Sequence, residues 1–311
     1  MVDPPAHARG LGDPRIERRH LEYFIAVSEC GGFKAAGERL FVAASGIAQG
    51  IRQLEHYLGV TLFERSRLGS RLTPEGRAVV GPAHRALRAF DLVVAAASEV
   101  AGLSTGTLDT ISTPSLAQEP LSTLIGVFRR RHPGVRVRLT APAAQFVSEI
   151  TASIVEGENE IGVTEHPGGA VDGIRITPMY TGEIWAVCPP GTTGMAERIP
   201  RSRLVELGII VAPYWESSDL YRQLRATCPE IDDAIVIRTE HRDSFISLAM
   251  AGAGAVLTDT VQARRAAMRG AIVARLDPPL TRDVVVVCRD SHLSPAAAAF
   301  LELCRDSGSL E

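Results

Sequence analysis

The sequence predicts a multidomain α/β chain: a small helical head with a two-stranded wing, a long connecting helix, and a larger two-lobed domain. Three observations carry that prediction. Residues 21–57 hold three short helical patterns separated by turn signals. Residues 74–101 repeat apolar side chains three and four apart, and from Thr107 onward short strand-like runs alternate with amphipathic ones. With 311 residues, 45% of them hydrophobic and 22% charged, the chain is long enough to bury several cores.

Residues 1–14, rich in proline and glycine and poor in apolar side chains, read as a disordered leader. In the head, residues 15–73, Leu21, Phe24, Ile25 and Ser28 trace one helix face. Gly31 and Gly32 break it, and Phe33 to Leu40 form a second helix. The third runs from about Ala44 to Tyr57, with Ile47, Ile51 and Leu54 as its buried stripe, and Leu58 and Gly59 stop it. "VTLFERSRLGSRLT" then adds two short strands around a basic loop, the order of a winged helix-turn-helix. Arg65, Arg67 and Arg71 line this wing with only Glu64 in opposition, which suits phosphate contact. The net charge of -3 excludes a uniformly basic coat, so contact with double-stranded DNA rests on that local patch.

Thr73, Pro74 and Glu75 form a helix start: a capping hydroxyl, a proline in the first turn, and an acid near the positive end of the dipole. Along the helix that follows, Val80, Ala83, Leu87, Phe90, Val94, Ala97 and Ala101 keep coiled-coil spacing, so residues 74–106 read as a dimerisation helix and hinge. A helix lying on its own domain uses similar spacing, and the sequence leaves both open. "GLSTG", Gly102 to Gly106, matches a nucleophile-elbow pattern, but it stands after a helix and before a strand, the reverse of what an elbow needs. It reads as a flexible linker.

The chain shows no P-loop, no HExxH and no GxGxxG after a strand, so no enzyme and no cofactor is expected. Cys30, Cys188, Cys228, Cys288 and Cys304 are scattered without zinc-type spacing, so no metal is expected, and buried free thiols are the reading favoured over a redox sensor. No apolar run reaches the roughly 18 residues of a membrane span and the first residues lack a signal core, so no membrane partner and a cytoplasmic home are expected.

Residues 107–311 alternate "TLDTIS", "VRVRLT" and "EIGVT" with helical stretches, then "IWAVCPPG", "LGIIVAP", "AIVIRT" and "GAVLT", closing with "DVVVVCRD" and a last helix. Two α/β lobes fit, each doubly wound. Ligands of such domains sit at the carboxyl ends of strands beside helix starts. That places Ser112, Thr113 and Ser115 of "STPSLAQ" at one wall, where free backbone N–H groups favour an anion. Tyr214, Trp215, Ser217 and Ser218 of "APYWESS" stand at the other, where the aromatic pair favours a flat or apolar body. Each hydroxyl has local helix capping as an equal alternative. Glu165 and His166 follow a third strand, and Arg242, near a helix start, is a possible anion partner.

"HLEYFIAVSECGGFKAAGERLFV", "IRQLEHYLGVTLFER" and "LTPEGR" together resemble the amino-terminal signature of the LysR-type transcriptional regulators, a match that covers residues 18–90. The resemblance implies a second domain similar to a periplasmic binding protein, with two lobes joined by two crossover strands and a small inducer between them. It places lobe one at 107–181 plus 283–307 and lobe two at 182–282. It implies a ligand-responsive homodimer or homotetramer acting at promoter DNA, with RNA polymerase as a further partner.

The departures from the family pattern fall on the recognition helix. Members commonly begin it with Ser or Thr, Gln, Ser or Pro, a small residue, a branched one and Ser. Here the positions read Ala43, Ala44, Ser45, Gly46, Ile47 and Ala48. Ala43 forgoes a cap worth about 1 kcal/mol, which Ser45 partly replaces. Ala44 and Ala48 offer base edges only apolar contact, and Gly46 and Gly50 cost the helix roughly 1 kcal/mol each. Ser45 and Gln49 remain on the exposed face with Arg52 beyond them: Gln49 suits adenine, and Arg52, Arg65 and Arg67 suit phosphates. The sequence thus predicts DNA reading with fewer base contacts and greater reliance on DNA shape. The alternative it leaves open is a small-molecule binding protein with a vestigial, DNA-incompetent amino-terminal domain.

Overall fold

The computed structural model describes residues 16–66, 69–97, 106–143, 146–213, 215–290 and 293–307. The expected leader, Arg67, Tyr214 and all of "GLSTG" but its last glycine lie outside the described residues, as does Ala101. The head comprises α1 (Arg18–Cys30), α2 (Phe33–Leu40), α3 (Ala44–Leu58), β1 (Phe63–Ser66) and β2 (Gly69–Leu72). The two strands pair antiparallel, with Glu64 opposite Arg71. Ile47, Ile51 and Leu54 are buried with Phe24 and Leu62, so the period read from the sequence is the one that packs. Ala43 starts α3 in extended backbone without a side-chain cap.

The two glycines of α3 differ in their surroundings. A Cβ at Gly50 would stand 2.6 Å from the Tyr23 ring of α1, whereas one at Gly46 would meet only Val42 at an ordinary 3.5 Å. Close approach of α1 therefore requires glycine at 50 and not at 46. Gly46→Ala is expected to raise head stability by up to about 1 kcal/mol. Gly50→Ala, by forcing the helices apart, is expected to lower it by about 1–3 kcal/mol. Thermal melting of the two variants checks the pair, and equal shifts would sink the explanation.

α4 (Pro74–Ala97) starts where its signals place it: Thr73 Oγ1 accepts from Gly76 N at 2.9 Å and donates to Thr61 O at 2.7 Å. Its expected seam is corrected in part. Ala83 is 2% exposed inside the core of its own head, and Val80 and Leu87 pack against that core, so these positions are covered within the chain. Phe90 and Val93 remain exposed, while the side chains of Val94 and Ala97 lie outside the described residues.

Lobe one opens with β3 (Gly106–Ser112), α5 (Pro114–Leu116), α6 (Ser122–Arg131), β4 (Val135–Thr140), α7 (Val147–Glu156) and β5 (Ile161–Glu165). β6 (Ile174–Cys188) crosses to lobe two. That lobe holds β7 (Arg198–Pro200), α8 (Arg203–Leu207), β8 (Ile209–Val211), α9 (Asp219–Arg225), β9 (Ile235–Arg238), α10 (Phe245–Met250), β10 (Val256–Asp259) and α11 (Thr260–Met268). β11 (Ile272–Arg289) returns, and α12 (Pro295–Ser307) packs on lobe one. The main sheet runs β10-β6-β11-β5-β3-β4 with β7 beside β11, and a small β8-β9 pair joins it through a bridge from Ile209 to Ala255.

β3, β4 and β5 are parallel, while β6 and β11 run antiparallel to their neighbours β10 and β5 and to each other. The sheet is therefore mixed and has helices on both faces. In lobe one Leu108, Phe128 and Phe300 fill one side and Ile111, Ile150 and Val287 the other. A strand covered twice has no polar face, which is why β11 reads as the unbroken run Val284–Cys288. Both crossover strands extend well past "IWAVCPPG" and "DVVVVCRD". Pro178 in β6 and Pro278 and Pro279 in β11 look like stops in sequence, but irregularities in the ladder absorb them. Among the described residues no helix is long and apolar enough to cross a membrane.

Candidate functional site

On the head, Ser45, Gln49 and Arg52 are exposed along one side of α3, opposite the buried stripe. None of the three side chains has a hydrogen-bond or ion-pair partner among the described residues. Arg71 is exposed on β2; the side chain of Arg65 and the whole of Arg67 lie outside the described residues. Phe41, in the turn before α3, is 96% exposed and held at φ 56°. A bulky side chain in the left-handed region, fully in water, is costly for an isolated head. The only signal for it is an aromatic residue inside a turn.

Between the lobes lies a cavity of about 330 Å³. Thr113, Ser115, Glu165 and His166 reach it from lobe one, and Trp215, Ser217 and Arg242 from lobe two, so strand ends of both lobes converge there. Two expectations are corrected. Ser112 is fully buried and its hydroxyl donates to Val163 O at 2.8 Å, because the parallel neighbour β5 claims it. The expected cradle of free N–H groups is reduced, because Pro114 has none and α5 is only three residues long. Ser218 lines the cavity but caps α9, accepting from Tyr221 N at 3.1 Å, so the local alternative holds there.

Behind the cavity stands Arg282 of β11, which no local sequence pattern singles out. Its side chain is 7% exposed and reaches both lobes: Nη1 lies 3.5 Å from Ser115 Oγ and 3.7 Å from Glu165 Oε1, and Nη2 lies 3.5 Å from Asp259 Oδ2. The walls withdraw water from Arg242 and lower its pKa, an effect that Glu165 opposes and Arg282 reinforces. The lobes also meet where Gln262 of α11 hydrogen-bonds Gln118 of lobe one and Arg265 lies 3.6 Å from Glu119.

A second set of charges ties α4 and the head to lobe one. Arg88 of α4 donates to Asp109 Oδ2 at 2.9 Å and to the Gly157 carbonyl. Arg138 donates to Asp109 Oδ1 at 2.8 Å and pairs with Glu29 of α1 at 3.1 Å. Glu160, 3.9 Å from Arg88, accepts from both Ser294 N and Ser294 Oγ at 2.8 Å. Burial raises the pKa of Glu160 above the usual carboxylate range, with Arg88 pulling it down. His84 of α4 is buried beside this set, and burial lowers its pKa to about 4.

The order of these parts is shared with known proteins. Residues 18–77 match the model of the bacterial regulatory helix-turn-helix protein, lysR family, and residues 101–309 match the LysR substrate binding domain. The chain belongs to the LysR family of transcriptional regulators. It is 29% identical over 295 residues to a probable HTH-type transcriptional regulator, LrrA, of Synechococcus elongatus, covering 92% of this chain and 96% of that one. It is 25% identical over 305 residues to the HTH-type transcriptional regulator TdfR of Cupriavidus pinatubonensis, covering 93% of this chain and 98% of the relative. The fold is similar to that of a full-length OxyR variant from Pseudomonas aeruginosa, with TM-score 0.69, 20% identity and 96% of each chain covered. CbnR complexed with its target DNA follows at TM-score 0.65 and 22% identity, over 94% of this chain and all of that one.

In this LysR-family regulator no cysteine lines the cavity between the lobes. Cys188 and Cys304 are buried, and burial pushes their thiols up to about 11 and about 12; it raises Cys228 and Cys288 as well. Thiols held in the protonated form are poor nucleophiles, so these four cysteines are poorly suited to redox sensing.

Proposed function

We propose that this LysR-family regulator, in the cytoplasm and as a homodimer or homotetramer, reads promoter DNA through Gln49 and Ser45, with Arg52, Arg65, Arg67 and Arg71 on phosphates. A small effector carrying an anionic group and a flat or apolar body controls it from the cavity between the lobes. The observation that carries the reading is the exposed, unpartnered row of Ser45, Gln49 and Arg52 on a helix whose other face is locked into the core. A fold shared with CbnR, which is complexed with its target DNA, supports DNA binding by this chain. The exposed Phe90 and Val93 on α4 support association of chains.

The test is an anisotropy titration on the protein's own upstream DNA and on a scrambled duplex, at several salt concentrations. Gln49→Ala is expected to cost about 1–3 kcal/mol on the native duplex and little on the scrambled one. Arg71→Ala is expected to weaken both alike and to reduce the salt slope by about 1. Equal affinity of the unaltered protein for both duplexes overturns the reading and returns the vestigial alternative.

A further inference from the structure

We infer that the effector is a zwitterion, an α-amino acid with an apolar side chain, whose carboxylate meets Arg242 and whose ammonium meets Glu165. This rests on the reading of the cleft as the effector site.

Of the charged side chains on the cavity wall, Asp219 and Arg222 satisfy each other, with Arg222 Nη2 3.1 Å from Asp219 Oδ1. Asp219 Oδ2 further accepts from Gln223 at 2.7 Å. That leaves Glu165 and Arg242. They belong to opposite lobes: Glu165 ends β5, and Arg242 stands just before α10. The Arg242 guanidinium has no ion pair or hydrogen bond among the described residues. The Glu165 carboxylate has one ionic partner there, Arg282 at 3.7 Å, well beyond the roughly 2.7–2.9 Å of a charge-assisted hydrogen bond. The cleft thus presents one under-bonded cation and one under-bonded anion, facing across the gap that an effector fills.

Each class of ligand leaves a different residue unsatisfied. A monoanion pairs with Arg242 but sits against the like charge of Glu165, and an amine does the reverse. A neutral molecule strips water from both groups and returns nothing in its place, which disfavours its binding. A molecule with both charges a few ångströms apart satisfies both lobes at once and draws them together. Ile209, Val211, Trp215, Phe245 and Leu257 supply an apolar wall for the side chain. A volume of about 330 Å³ lies at the small end of ligand sites and suits a molecule of amino-acid size.

The experiment is thermal melting and calorimetry of the full-length protein with the twenty amino acids, and with 3-phenylpropionate and phenethylamine as probes that each lack one charge. At least one apolar amino acid is expected to raise the melting temperature and to bind at least about tenfold more tightly than either single-charge probe. Glu165→Gln is expected to abolish that preference for the amine, and Arg242→Gln to abolish binding. If 3-phenylpropionate binds as well as every amino acid and Arg242→Gln removes it, the cleft remains the effector site and the zwitterion is wrong. If no amino acid and no single-charge probe shifts the melting, or if binding survives in Arg242→Gln, the reading of the cleft falls with it.

Discussion

Asp109→Ala is expected to lower the stability of the protein by about 3–5 kcal/mol, the cost typical of removing one partner from a buried ion pair. Asp109 is 4% exposed and Arg88 8%, and the carboxylate holds guanidinium groups from two other elements at 2.9 and 2.8 Å. Without it, Arg88 keeps only the Gly157 carbonyl and a carboxylate at 3.9 Å, too little to offset the water it has lost. Arg138 suffers less, because it is half-buried and retains Glu29 and the Glu158 carbonyl. The double variant Arg88→Leu with Asp109→Leu is expected to be milder than Asp109→Ala, since it strands no buried charge. Urea denaturation followed by far-ultraviolet circular dichroism gives both values. A single-variant loss below about 1 kcal/mol, or a double variant worse than the single, means that the carboxylate does not hold α4 to lobe one.

A pH slope is the second large effect expected. His84 has its pKa lowered from 6.5 to about 4, first by burial and then by Arg138, with Asp109 acting in the opposite sense. The unfolded chain therefore takes up a proton near pH 6.5 that the folded chain refuses until about pH 4. Stability from this residue is full above about pH 6.5 and is lost as the pH falls to about 4. The shift corresponds to about 3 kcal/mol. Glu158 and Glu160, whose pKa values burial raises, act the other way, losing stability as the pH rises through their range. They are present in both proteins when the wild type is compared with His84→Leu and so cancel in the difference. The stability difference between the two is expected to change by about 3 kcal/mol between pH 6.5 and 4. Parallel curves would show that the imidazole titrates as freely in the folded protein as in the unfolded one.

Local rules made much of the fold readable. The start of α4 followed from Thr73, Pro74 and Glu75, and α3 from a stripe of three apolar residues, because caps and periodicity are properties of neighbours in sequence. Ser112 was misplaced because the acceptor of its hydroxyl, Val163 O, is 51 residues away on a strand whose pairing no local pattern fixes. Ala83 was assigned to a seam because heptad spacing is the same whether a partner or the chain's own head covers it. Arg282 was passed over because a lone arginine ahead of an apolar run looks like a strand boundary; only the crossover places it between Glu165 and Asp259. Glu29, Arg88, Asp109 and Arg138 lie in four separate elements and carry no spacing to recognise.

The β6–β11 ladder runs from the Ile174–Arg289 pair to the Cys188–Ile272 pair, through both lobes, broken only by irregularities between Arg275 and Leu280 and between Val284 and Val285. A ribbon of backbone hydrogen bonds resists stretching far more than twisting. The lobes therefore behave like the arms of tweezers cut from one strip of metal: they cannot drift apart, and their resting gap is set by how the strip is coiled. Effector affinity then includes the work of flexing the strip from its resting gap to the closed one. The bulge at Pro278 and Pro279 lies in that strip, and neither proline lines the cavity, so it trims the resting gap without touching the molecule the tweezers hold.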